Sequence, residues 1–335
     1  MHPALEAAVR RRDGVFTVAD ARRAGYRPDE IRSAVGSGAW HRLRRGVYVT
    51  AAVWAAAAGD PRARHLLAAV AALAVLRTGP VLSHSSAARF HELVLPRGVD
   101  DVVRLTDPGQ WRVGDGYRIA EAALPAEDVV DTGAFRVTGV ARTLVDCARE
   151  LPVADAVVAF DAAIFRERVR RRELTAAVLQ QSHWLGVGGA ARALGLADGR
   201  AESPLESRGR LAFLEAGLPR PELQVDLHGP RGFVARVDAW YEEAGVAVEF
   251  DGRVKYEDPH GGRTPAEVAW HEKRREDLIR DLDVRVVRVV DTDLPLLRGP
   301  AERLRELLAR PLSGPRRFRT VRRPEPGSDP ADAVA

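Results

Sequence analysis

Along residues 246–251 apolar and acidic side chains alternate with a period of two. Val246, Val248 and Phe250 point one way, and Ala247, Glu249 and Asp251 the other. This alternation predicts a strand with one face in a core and both acids on the opposite face. The surrounding pattern extends it into a module. Ser203-Pro204-Leu205-Glu206 opens a helix that runs to about Ala216 and stops at Gly217. Strands are predicted over Glu222–Leu227, Phe233–Trp240 and Val246–Phe250, the last two joined by the tight turn Glu242-Glu243-Ala244-Gly245. A second helix begins with Thr264 as cap, Pro265 first and Glu267 three after the cap, and ends near Leu282. Val284–Val290 forms the final strand. The predicted order is helix, three strands, helix, strand.

The first fifty residues carry a different pattern. It comprises a helix over Pro3–Arg12, a short helix capped by Thr17 and ended by Gly25, and a helix from Pro28 to about Val35. Trp40-His41-Arg42-Leu43 and Val47-Tyr48-Val49 then alternate as a hairpin around Arg44-Arg45-Gly46. Helix, turn, helix and basic hairpin predict a winged helix-turn-helix. Arg27, Arg32, Arg42, Arg44 and Arg45 are its candidate nucleic-acid-binding residues; the competing reading is a solvated arginine face.

Residues 51–200 read as α+β and chemically quiet. His84, His91 and Asp146 match no metal or triad spacing, so they are expected to hold structural hydrogen bonds. The run Arg166–Arg172 reads as a solvated helix end or a nucleic-acid contact, and Gly186–Gly189 and Asp198–Arg200 as hinge loops. From about Pro311, Arg316, Arg317, Arg319, Arg322 and Arg323 lie among prolines and glycines. The expected fold class is α/β, α+β overall. Its parts are a winged helix-turn-helix at 1–50, an α+β middle domain at 51–200, an αβββαβ domain at 201–310 and a basic, disordered tail at 311–335.

Composition narrows the setting. A chain of 335 residues exceeds what one compact core usually holds. With 46% hydrophobic and 29% charged residues it falls among soluble globular proteins, and no apolar run is long enough to span a bilayer. The N-terminus lacks the apolar core of a signal peptide, and the single Cys147 excludes an internal disulfide; a cytoplasmic location is expected. Net charge is only +4, yet of 51 Lys plus Arg just Lys255 and Lys273 are lysine, and both fall inside the C-terminal module. Lysine is a compact charge whose pKa can be tuned, so these two become candidates.

Asp238 sits between Val237 and Ala239 on the strand before Glu249, and the connecting turn is short enough to bring the two together. Three carboxylates in one place repel and shift one another's pKa unless a cation neutralises them. Hard oxygen ligands suit Mg²⁺ or Mn²⁺, which polarise a phosphodiester and activate water.

These residues carry a resemblance. Glu206, Arg236-Val237-Asp238, Val248-Glu249-Phe250-Asp251-Gly252 and Lys273–Arg275 resemble the Vsr-like endonuclease branch of the PD-(D/E)XK superfamily over about ninety residues. The resemblance implies a restriction-endonuclease-like domain with Asp238, Glu249, Asp251 and Glu206 as metal ligands for Mg²⁺ or Mn²⁺. The usual lysine two residues after the glutamate is Asp251 here, as in that branch, which leaves Lys255 and Lys273 as candidate helpers. The N-terminal half, with Gly46-Val47-Tyr48, resembles the winged-helix part of AbiEi-type antitoxins of type IV toxin–antitoxin systems.

Each residue also has a plainer reading. Ser-x-x-Glu is itself a capping box and accounts for Glu206. Asp277 lies four residues after Lys273 and forms a surface pair with it in that reading, while His260 and His271 are structural or exposed. An arginine network would satisfy the acids of the sheet without any metal. Two functions therefore compete: a metal-dependent nuclease acting on DNA rather than RNA, and a DNA-binding, antitoxin-like regulator with a cognate toxin partner whose nuclease fold is only a scaffold.

Overall fold

The chain divides into two units, Met1–Leu151 with Leu174–Ala190, and Pro152–Glu173 with Ala191–Ala335. The structure, a computed structural model, describes residues 1–76, 78–251, 274–275, 277–293, 298–310, 312 and 314–328. Among the described residues no helix is long and apolar enough to cross a membrane.

The first unit opens with α1 (Pro3–Arg11), β1 (Val15–Thr17), α2 (Val18–Arg23), α3 (Pro28–Gly36), β2 (Trp40–Arg44) and β3 (Val47–Thr50). The strands pair in the order β1-β3-β2. Local chemistry fixes these boundaries. The Thr17 hydroxyl accepts from the Asp20 amide at 3.2 Å while the Asp20 carboxylate accepts from the Thr17 amide at 2.8 Å, a closed capping box. Pro28 starts α3, and Gly46, at φ +74, makes the hairpin turn. Leu5, Phe16, Ala21, Ile31 and Trp40 form the core, with Phe16 edge-on to Trp40 at 4.8 Å.

The same unit continues through α4 (Ala51–Ala56), α5 (Pro61–Leu73), β4 (Val81–Leu82), α6 (His84–Phe90), β5 (Val103–Asp107), β6 (Arg112–Gly114), β7 (Tyr117–Glu121), β8 (Val129–Asp131), β9 (Arg136–Thr138) and α7 (Val140–Ala148). Its second sheet runs β6-β7-β5-β4-β9-β8. The edge strands β6 and β8 have three residues each, too few for a periodic signal, and only the pairing reveals them. The tempting polar residues here are satisfied. His91 Nε2 lies 2.7 Å from the Thr138 carbonyl, His84 Nδ1 lies 2.9 Å from Ser83 Oγ, and Asp146 accepts from Arg142 at 3.0 Å.

The second unit contains α8 (Val153–Phe165), α11 (Pro204–Glu215), β10 (Glu222–Gly229), β11 (Gly232–Tyr241), β12 (Val246–Asp251), helical residues at 274–275 and 277–280, β13 (Arg285–Val290), α12 (Arg298–Leu308) and β14 (Arg319–Val321). Helices α9 (Arg171–Gln180) and α10 (Val187–Leu196) lie where the chain passes from one unit to the other. The five strands run β13-β12-β11-β10-β14, with β12 and β13 parallel and the other neighbours antiparallel.

Three expectations change. The boundary near residue 200 gives way, because α8 belongs with the C-terminal unit. Asp161 of α8 accepts from Arg210 at 3.0 Å and from Ser207 at 2.8 Å, both on α11, and the Asp161–Arg210 pair is almost wholly buried. The tail is not disordered as far as it is described: Arg319–Val321 adds a strand to β10, and the Glu325 carboxylate accepts from Arg171 at 2.6 Å. Arg171 is thereby a structural tie rather than part of a solvated helix end. Helix α12 is an addition to the predicted order, its Ala301 and Leu304 buried beneath the sheet's first core.

That sheet buries both faces. Val246, Val248 and Phe250 join Leu205 and Phe213 of α11 and Leu304 of α12 in one core, while Ala247 joins Trp240, Val225, Ile279 and Leu282 in another. The period-two alternation thus separates the two faces of β12. Helix α11 lies so close that a Cβ on Gly209 would stand 2.2 Å from Phe250 Cε1.

Candidate functional site

The acids of the C-terminal sheet are placed by three elements. Ser203 caps α11, and Glu206 sits in its first turn, 5% exposed. Its carboxylate accepts three hydrogen bonds, from Ser203 Oγ at 2.7 Å, from the Glu202 amide at 2.9 Å and from Gln224 Nε2 at 3.0 Å. The Ser203 hydroxyl caps the helix by accepting from the Glu206 amide at 3.2 Å, while the Glu206 carboxylate reaches back to the Glu202 amide, one residue before the cap. Burial still pushes the Glu206 carboxyl up to about 7, and the nearby charge of Asp238 pushes the same way.

Gln224 lies in the interior of β10 at φ +53, in the left-handed region that side chains other than glycine seldom adopt. It falls opposite Asp238 in the ladder, between the pairs Leu223↔Ala239 and Val225↔Val237. Leu223 and Ala239 pack in the first core, whereas Val225 and Val237 pack in the second. The backbone turn at Gln224 switches faces at this point, and the polar pair Gln224 and Asp238 marks the switch. Strain of this sort persists only where the surroundings over-determine it.

Asp238 also ends a ladder. Strands β11 and β12 pair at Tyr241↔Val246, Trp240↔Ala247 and Ala239↔Val248, and the pairing stops there. Beyond it the Asp238 carboxylate accepts from the Phe250 amide at 2.8 Å, replacing a main-chain acceptor. Glu249, between these points, is 6% exposed. Both of its oxygens accept from Arg275 Nη2, at 2.7 Å each, and the same nitrogen donates to the Arg236 carbonyl at 2.6 Å. Burial pushes the Glu249 carboxyl up to about 7; Arg275 pulls against it, and Asp238 and Asp251 add to it. Asp251 closes the strand with Arg288 Nε at 3.9 Å.

Asp238, Glu249 and Glu206 thus converge within electrostatic reach, as alternation and turn length predict for the first two. Lys255, Lys273, His260 and His271 lie outside the described residues. Asp277, expected to pair with Lys273, stands 3.8 Å from Arg280. The acids offer the hard oxygens that Mg²⁺ or Mn²⁺ prefers. Yet among the described residues no group of three His, Cys, Asp or Glu is arranged to hold a metal ion. The oxygens of Glu206 are taken by three donors and those of Glu249 by a guanidinium, so the described residues as arranged do not fit a divalent cation. In the sequence Arg275 stands out only as the end of a motif, overshadowed by the rarer lysines. Its spacing of four residues from the apolar Ile279, which sets both on one side of a helix, is the sequence signal that bears on it.

The N-terminal candidates separate into two groups. Arg32, Arg42 and Arg45 are exposed, the first on α3 and the others on the hairpin. Arg27, at the start of α3, is exposed but lies 3.7 Å from both Asp29 and Glu30. Arg44 is committed elsewhere: it donates to the Asp115 carbonyl at 3.1 Å and covers the Tyr117 ring. Nearby, Trp54 of α4 is sandwiched between His41 of the hairpin, stacked at 3.8 Å, and the Arg64 guanidinium of α5 at 3.3 Å, which braces the hairpin from behind.

Residues 3–51 match a family described as "Transcriptional regulator, AbiEi antitoxin". Two uncharacterized proteins of Mycobacterium tuberculosis, from strains CDC 1551 / Oshkosh and ATCC 25618 / H37Rv, are each 36% identical over 157 residues, covering 47% of this chain and 55% of theirs. The chain therefore spans about half the length of the curated relatives it matches.

Proposed function

We propose that this protein is a DNA-binding regulator of antitoxin type, with residues 1–50 as its winged DNA-binding segment and the C-terminal sheet as a scaffold. The match of residues 3–51 to an antitoxin family of transcriptional regulators carries this reading. The order of elements supports it, since α2 and α3 form a helix-turn-helix pair and the β2–β3 hairpin supplies a wing. In this reading α3 enters the major groove with Arg32, while Arg42 and Arg45 on the wing meet phosphates, and Arg27 exchanges its weak surface pairs for the backbone. Binding requires no metal and weakens with salt as counterions are released. A cognate toxin is the proposed protein partner, and a neighbouring gene for a nucleotidyltransferase-like toxin would favour it. The direct test is fluorescence anisotropy of the full chain on DNA from upstream of its own gene. Saturable, metal-independent binding that beats a scrambled duplex is expected; equal affinity for both duplexes would remove the regulator reading.

A second reading, phosphodiester hydrolysis at the acidic cluster, is favoured by the proximity of Asp238 on β11 to both Glu206 on α11 and Glu249 on β12. Incubation with plasmid, single-stranded DNA and RNA in Mg²⁺ or Mn²⁺ tests it. Identical products from wild type and Glu249→Ala would dispose of it.

A further inference from the structure

Arg275 Nη2 is surrounded by three oxygens: both carboxylate oxygens of Glu249 at 2.7 Å and the Arg236 carbonyl at 2.6 Å. They come from adjacent strands, β12 and β11, and Arg236 is two residues from Asp238. One nitrogen with two hydrogens serves three acceptors, so at least one bond is shared. The nitrogen therefore sits where carboxylate and carbonyl oxygens close around a single positive centre, which is how hard cations are held. A guanidinium and a divalent ion cannot occupy that position together, because both need the same lone pairs and their charges repel.

We propose that Arg275 is the resident cation of this cluster, neutralising Glu249 in place of a divalent metal ion and blocking metal entry. Arginine suits the role because its charge is permanent, and a single terminal nitrogen, Nη2, reaches both carboxylate oxygens. Glu249 is nearly buried, so it needs a counter-charge on the spot. The Arg275 side chain is 40% exposed, so its removal opens a route from solvent to the acids rather than a sealed void. The inference is independent of DNA binding by the N-terminal segment.

The test uses the full chain and Mn²⁺ alone, without nucleic acid. Free Mn²⁺ is followed by electron paramagnetic resonance, and thermal melting is recorded with and without the ion. Wild type is expected to show no saturable binding and no Mn²⁺-dependent melting shift. Arg275→Met is expected to bind Mn²⁺ saturably, at least about tenfold more tightly than the upper limit set by wild type, since the competing charge is gone, and to melt higher with Mn²⁺. Adding Glu249→Gln to that variant abolishes both effects. Arg275→Gln, which keeps a donor for the Arg236 carbonyl, is a second variant with the same expected behaviour should Arg275→Met not fold. Wild type binding Mn²⁺ as tightly as these variants would show that Arg275 blocks nothing. Absence of binding in both folded variants would show that the acids are no cation site. Either result overturns the proposal and leaves the DNA-binding reading untouched.

Discussion

The Asp238 carboxylate accepts a hydrogen bond from the Phe250 amide at 2.8 Å, at the point where the ladder between β11 and β12 ends. A side chain here does the work of a missing backbone carbonyl. The same bond fixes Asp238 beside Glu249, so the separation of the strands and the gathering of the acids have one cause. It also yields a stability prediction. Asp238→Ala leaves a buried amide unsatisfied and is expected to cost about 1–3 kcal/mol. Asp238→Asn keeps an acceptor and is expected to cost less. Urea unfolding of both variants checks this, and equal losses would show that the hydrogen bond is not what matters.

Glu206 makes stability depend on pH. Its folded-state pKa stands at about 7 against an ordinary value of 4.5, so between those limits the folded chain holds more protons than the unfolded one. Stability therefore falls as pH rises through that window, and Glu249 acts in the same sense. Glu206→Gln removes one contributor and is expected to flatten the slope. Urea midpoints measured across the window decide it: an unchanged slope in the variant contradicts the assignment.

The exposed arginines make a prediction about salt. Replacing Arg32, Arg42 or Arg45 with Ala is expected to weaken DNA binding and to lower the slope of log K against log salt by about 0.9 for each phosphate no longer neutralised. Arg44→Ala serves as the contrast, because Arg44 is bound to Asp115 and Tyr117. Anisotropy titrations over a range of salt concentrations measure this. A slope that stays constant across the exposed set removes these residues from the interface.

The tight approach of α11 to β12 predicts an intolerant glycine. Gly209→Ala brings a methyl group against Phe250, which cannot retreat from a filled core, and is expected to cost about 1–3 kcal/mol. Phe250→Leu in the same chain should recover part of that loss. Calorimetry of the single and double variants tests it; simple additivity would mean the two positions do not press on each other.

Several features are legible in the sequence because they rest on local chemistry. Thr17 with Asp20 and Ser203 with Glu206 announce their helices through hydrogen bonds that span three residues. The alternation in Val246–Asp251 sorts that strand's side chains between two cores. Tertiary structure decided what depends on partners distant in sequence. Arg171 holds Glu325, and Arg319–Val321 pairs with β10, so a basic tail that reads as disordered contributes a three-residue strand and an ion pair to the C-terminal unit. The buried pair of Asp161 and Arg210 assigns α8 to the C-terminal unit, which no composition shift reveals. Periodicity places Glu249 on a face, but not what meets it there. Its counter-charge comes from Arg275, twenty-six residues further along the chain. A carboxylate buried among strands takes the nearest cation that the fold brings within about 3 Å, and pattern along the chain carries no record of that distance.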